Sequence, residues 1–189
     1  MKNDNHDDVF GPDGPEVEPA LMLRYLVEKS EELAHKNYAG FPLPFRLLGA
    51  VALIPFPKLQ TDFRQIVSPS DDSLKERAEK CKNLFVDALA RPQDSNSYAS
   101  KGGADLPFYP VLSNRFCWEA RRLGERMVEQ KDFQYVSVWL CMTWIALQGD
   151  TEKLKDFQDK CLLYTDPEER IEQVIPILWA AMTRKMRQN

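Results

Sequence analysis

Phe133-Gln134-Tyr135-Val136-Ser137-Val138-Trp139-Leu140-Cys141-Met142-Thr143-Trp144-Ile145-Ala146-Leu147-Gln148 is the stretch on which the fold turns. As a helix it is apolar nearly all the way round, because only Gln134, Ser137, Thr143 and Gln148 are clearly polar. No single face can then be the buried one, and such a helix needs neighbours on every side. It is expected at the centre of the domain, with the N-terminal helices closing over it.

Working outward, helical patterns cover residues 114 to 130, 133 to 148, 151 to 163 and 167 to 187, joined by very short connections. Short links force neighbouring helices to run antiparallel. Asp132 is placed to cap the second of these helices, and Gly149-Asp150-Thr151 ends it and starts the third. Asp166-Pro167-Glu168-Glu169 gives the last a cap, a proline at its first position and an acidic first turn. Pro176 lies inside that last helix, where it lacks an N–H and crowds the carbonyl of Glu172, so a bend is expected there.

Two stretches, Gly149-Asp150-Thr151-Glu152-Lys153-Leu154 through Asp166-Pro167 and Leu123-Gly124 followed by Lys131-Asp132-Phe133, resemble the tetratricopeptide repeat. They are not in one register, and Met142 stands where that repeat has a small residue. The resemblance implies stacked helical hairpins as an architecture, not membership of the family.

Toward the N-terminus, a helix is expected from Pro19 to about Asn37, with Leu23, Leu26, Val27 and Leu33 inward and Met22 and Ser30 beside them. Two Pro-x-Pro units, at Pro42 and at Pro55, bracket the apolar segment Leu47 to Ile54. A short buried helix fitted between them is the expectation, with a strand as the alternative. A further short helix is expected over Lys58 to Ile66. A longer one follows a Ser73-x-x-Glu76 capping box and is stopped by Pro92. Residues 92 to 113 form a long internal loop of a kind that is usually functional or disordered. Residues 1 to 18, rich in Asp, Glu, Gly and Pro, read as a flexible acidic tail. The whole is then an all-α chain, with residues 19 to 189 as a single domain and a C-terminal array of antiparallel helical hairpins around the buried central helix.

At 189 residues the chain can bury roughly two thirds of its unfolded surface, so neither metal nor disulfide is needed for folding. The four cysteines, Cys81, Cys117, Cys141 and Cys161, are widely spaced within apolar helical segments and are expected as buried, reduced thiols in the cytoplasm. The acidic start has no apolar run of a secretory signal. The apolar stretch Leu47 to Phe56 is about half the roughly 20 residues of a spanning helix, so no membrane span is expected. Net charge is −4, but the first eighteen residues hold six acids and one lysine, which leaves the rest at +1. A nearly neutral body argues against nucleic acid as the partner.

The two histidines, His6 in the tail and His35 near the end of the first helix, exclude mechanisms that need two ordered imidazoles. Glu32-Leu33-Ala34-His35 has the E-x-x-H spacing of di-iron bundles, but a second such pair is absent. No nucleophile elbow, phosphate loop or dinucleotide fingerprint occurs, and Asp71-Asp72 fits a helix start. No catalytic residue, cofactor or metal site is therefore assigned.

The binding candidate lies on the helix of residues 114 to 130. Arg115, Trp118, Arg122 and Arg126 share one face with Arg121 beside them, while Phe116, Ala120, Leu123 and Met127 face inward. Interleaved arginine and tryptophan is the composition of an interface hot spot. Phe41, Phe45, Phe56 and Leu59 are expected to complete the core. The function expected is a non-catalytic protein–protein interaction or regulatory module with a protein partner. The alternative is a small enzyme or carrier whose apolar pocket is lined by Trp139, Trp144 and Trp179. A nucleic-acid scaffold is the weaker third reading.

Overall fold

The computed structural model describes residues 10–11, 14–15, 17–36, 38–91 and 110–186. The fold is all-α, with eight helices among the described residues. No helix among them is long and apolar enough to cross a membrane. The chain divides into two compact units, one of residues 17–102 and one of residues 1–16 with 103–189.

The first unit holds α1 (Pro19–Ala34), α2 (Leu43–Ala52), α3 (Pro57–Val67) and α4 (Leu74–Leu89). α1 lies along α4, and α2 and α3 connect them in sequence. Its core is an aromatic cluster in which Phe45 and Phe63 meet Phe85 at 6.0 and 5.4 Å between ring centres, and Phe41 stacks on Phe45 at 5.2 Å. Phe41, Phe45 and Leu59 are buried there, as core completion requires, while Phe56 is half-buried at the N-cap of α3. Gly49 is the close-approach point, since a Cβ on it would overlap the Phe63 ring.

α2 corrects the expected boundary. It begins at Leu43 with Pro44 in its first turn instead of fitting between the Pro-x-Pro units. A proline there surrenders no hydrogen bond, because the first-turn N–H groups of a helix have no partner within it. The strand alternative is excluded. α4 has the expected capping box: Ser73 Oγ accepts from Glu76 N, and the Glu76 carboxylate accepts from Ser73 N.

The second unit holds α5 (Pro110–Gln130), α6 (Val136–Leu147), α7 (Thr151–Leu163) and α8 (Pro167–Met186). Nine of the twelve residues of α6 are buried, which leaves it no outward face. Its neighbours in the unit are α5, α7, α8 and a two-stranded antiparallel bridge of β1 (Phe10–Gly11) and β2 (Gly14–Pro15). Residues 1–9, 12–13 and 16 of the expected flexible tail lie outside the described residues. Gly14 and Pro15 are buried, and Gly14, at φ 115°, brings its backbone against the Trp144 indole. The acidic composition concealed these two small or apolar residues, which carry no charge to desolvate.

α6 starts three residues later than its sequence pattern suggests. Asp132 does not cap it; the carboxylate instead accepts from the backbone and side-chain N–H groups of Gln134, holding a turn ahead of the helix. α5 starts earlier, at Pro110 within the expected loop, and residues 92–109 of that loop lie outside the described residues. Asp150 and Asp166 cap α7 and α8 as expected, accepting from Lys153 N and Glu169 N. α8 runs on through Pro176, which sits on its exposed side.

The two units follow one plan. A fixed offset in residue number carries α1, α2 and α3 onto α5, α6 and α7, and an offset one residue shorter carries α4 onto α8. In α1 and α5 the buried pairs include Met22 and Phe116, Leu26 and Ala120, Ser30 and Gly124, and Leu33 and Met127. Phe45 meets Phe63 at 6.0 Å where Trp139 meets Phe157 at 6.4 Å. Phe56 N donates to Leu53 O at 2.9 Å where Asp150 N donates to Leu147 O at 2.9 Å. In the last helices Arg77, Ala78, Cys81 and Phe85 correspond to Arg170, Ile171, Val174 and Leu178, all buried. Both arginines turn back to the chain end of the preceding helix: Arg77 Nε donates to Ile66 O and Arg170 Nε to Tyr164 O, each at 2.8 Å.

Candidate partner-binding site

α5 presents its charged side because the opposite side is filled: Phe116, Ala120, Leu123 and Met127 are buried, as their helical spacing requires. α8 lies beside it in the opposite direction. Lys131 pairs with Glu168, Gly124 would meet Ile171, and Arg121 reaches Trp179, so partners rise along one helix as they fall along the other.

Two arginine–tryptophan contacts lie on these helices, one joining α5 to α8 and one within α5. The Arg122 guanidinium lies 4.8 Å from the Trp118 ring centre, and that of Arg121 lies 4.3 Å from the Trp179 ring centre. Both indoles remain open to water, with Trp118 40% and Trp179 46% exposed. Arg121 also donates to Glu125 Oε1 at 3.1 Å, and its Nε is buried without a hydrogen-bond partner among the described residues. Arg115 is exposed at one end of the row, and Arg126 is half-buried at the other.

Of the five residues singled out on α5, Arg122 lies over Trp118, and Arg121 lies over Trp179 of α8. The three tryptophans proposed as one pocket have different surroundings. Trp139 is fully buried against Phe157, and a Cβ on Gly124 would lie 2.9 Å from its Nε1, which has no partner among the described residues. Trp144 packs on Gly14, and Trp179 sits half-exposed under Arg121. Glu119 is buried, being the acid nearest the inward side of α5.

Burial pushes the thiols of Cys81, Cys141 and Cys161 up to about 12, which removes the thiolate needed for nucleophilic attack near neutral pH. Glu32, of the E-x-x-H pair, lies between Lys29 and Lys36, while His35 is exposed at the end of α1. No group of His, Cys, Asp and Glu that could hold a metal ion occurs among the described residues. Comparison with protein-family models, curated proteins and solved structures finds no match to this chain.

Proposed function

We propose that this chain is a non-catalytic protein–protein interaction or regulatory module of the cytoplasm that engages its partner through the arginine- and tryptophan-bearing surface of α5 and α8. The observation carrying this reading is the pair of half-exposed tryptophans, each stacked by an arginine, on two packed helices of one unit. Tryptophan and arginine dominate the few residues that supply most of the binding energy at protein interfaces. Rigid helices hold both side chains in place, which lowers the entropy lost on docking. Four buried cysteines, none in a disulfide, fit a reducing compartment.

The test is affinity capture with mass spectrometry on the full chain, followed by quantitation with Trp118→Ala and Arg122→Glu. Each variant is expected to weaken capture of the same protein by roughly tenfold or more, with helical content unchanged. Undiminished capture by both variants contradicts the assignment of this surface.

A further inference from the structure

We infer that the outward side of α2 is a docking site for an extended, apolar segment of a partner protein that carries a carboxylate. It is a second surface, on the first unit, and it does not depend on the assignment of α5 and α8. One plan serves both units, so α6, the helix that corresponds to α2, shows what such a face takes.

Leu43, Arg46, Leu47 and Ala50 recur at the spacing of one helical face, and Ile54 follows in the turn after α2. Leu43, Leu47 and Ala50 are partly open to water, and Ile54 is 44% exposed. In these places α6 has Ser137, Leu140, Cys141, Trp144 and Gln148. Leu140 and Cys141 are buried, and β2 lies against α6 with Gly14 on the Trp144 ring. Within its own unit α2 has α1 and α3 as neighbours, and α4 through Phe45 and Phe85. The plan accepts Ser137 and Gln148 at the two ends of this face, so folding does not call for Leu43 and Ile54 there. An apolar row left open where the sister helix is covered by chain is a surface for a partner.

The occupant's chemistry follows from the stretch that α6 already holds and from the charge of α2. That stretch, Phe10-Gly11-Pro12-Asp13-Gly14-Pro15-Glu16, joins apolar residues and prolines to two acids, and its paired residues are extended. Arg46, the one charged residue of α2, is exposed and makes no ion pair among the described residues, and residues 33–61 contain no acid. On the helices nearby, Glu32 is held by Lys29 and Lys36, and Asp87 by Arg91. A guanidinium binds a carboxylate through paired N–H donors, so the segment is completed by an acid set over Arg46. Its size differs from that of the stretch on α6. There the Trp144 ring leaves room for glycine alone, since a Cβ on Gly14 would stand 2.8 Å from Nε1. α2 has Ala50 in that place, so its segment can set a bulky apolar side chain over Ala50 and against Leu47. A single cation in an apolar row cannot track a phosphate backbone.

The probe is a fluorescent peptide with the sequence of residues 10–16 but leucine for the glycine at position 14, titrated onto the full chain and followed by anisotropy. Leucine at that point overlaps Trp144, so the peptide reports on α2 and not on α6. It is expected to bind, with an affinity that falls as salt is added. The same peptide with lysine for both acids, and the unaltered glycine peptide, should each bind more weakly by roughly tenfold or more. Leu47→Ser combined with Ile54→Gln should weaken binding by roughly the same factor, with the circular dichroism preserved. Arg46→Glu should reverse the charge preference in favour of the lysine peptide. If the double variant loses helix, Ala50→Trp, which copies α6, decides: it should switch the preference from the leucine peptide to the glycine peptide. No binding of the leucine peptide, equal binding of its acidic and lysine forms, or an unmoved preference in Ala50→Trp overturns the inference. Trp118→Ala should leave the peptide affinity unchanged, and a loss there places the peptide on α5 and overturns it too. Binding of phosphatidylserine vesicles that the double variant abolishes, with no peptide binding, assigns the face to a membrane instead.

Discussion

Glu32 shows how a polar cluster on α1 is fixed by opposing effects. Burial acts to raise its carboxyl, but the hydrogen bond from Lys36 and the charge and hydrogen bond of Lys29 outweigh it and hold the group at about 2, against an ordinary 4.5. The folded value lies below the unfolded one, so the stabilisation is complete above pH 4.5 and is lost as pH falls toward 2. Glu32→Gln is therefore expected to flatten this part of the stability–pH curve in urea titrations. At neutral pH it should cost about 1 kcal/mol, after allowance for a carboxylate still reached by water. An acid slope equal to that of the parent chain would show that the lysines do not hold the carboxyl. The same residue illustrates what spacing alone conceals: E-x-x-H was visible in the sequence, whereas the lysine pair that engages its carboxylate depends on rotamers.

Between elements, the recurring device is the arginine four residues into α4 and α8. Arg77, almost fully buried, donates from Nε to Ile66 O and from Nη2 to Ser68 O and covers the Phe41 ring; Arg170 donates to Tyr164 O. Each ties the start of one helix to the chain leaving the helix before it, occupying carbonyls that no helical N–H reaches. Arg77→Met should cost about 2–3 kcal/mol and Arg170→Met somewhat less, because it breaks fewer contacts. Chemical denaturation followed by circular dichroism measures both, and losses below about 0.5 kcal/mol in each would contradict the clamp. The motif was legible as Ser73-x-x-Glu76-Arg77 and Asp166-x-x-Glu169-Arg170, although only its capping half was interpretable without the structure. Caps and prolines also gave most helix positions. The ends went astray where a polar side chain took a partner other than the expected one, as at Asp132, or where proline entered the first turn, as at Pro44.

For the whole molecule, the duplicated plan lies in burial rather than identity. Phe45 stands for Trp139, Leu48 for Met142 and Ser30 for Gly124, and such exchanges keep an apolar or small position while erasing sequence similarity. The α5 part of the candidate site was legible because helical spacing alone puts Arg115, Trp118, Arg122 and Arg126 on one side. Trp179 was not, because its place beside Arg121 depends on how α8 packs against α5; residue type alone had grouped it with Trp139 and Trp144. The proposal that the captured partner docks on the second unit's arginine- and tryptophan-bearing surface can be tested by position-specific photocrosslinking. A photoreactive residue would replace exposed Ala180, beside Trp179, or its counterpart in the first unit, exposed Asp87. Crosslinking of the captured partner from position 180 and not from position 87 is predicted; equal crosslinking from both, or crosslinking from position 87 alone, would contradict the assignment.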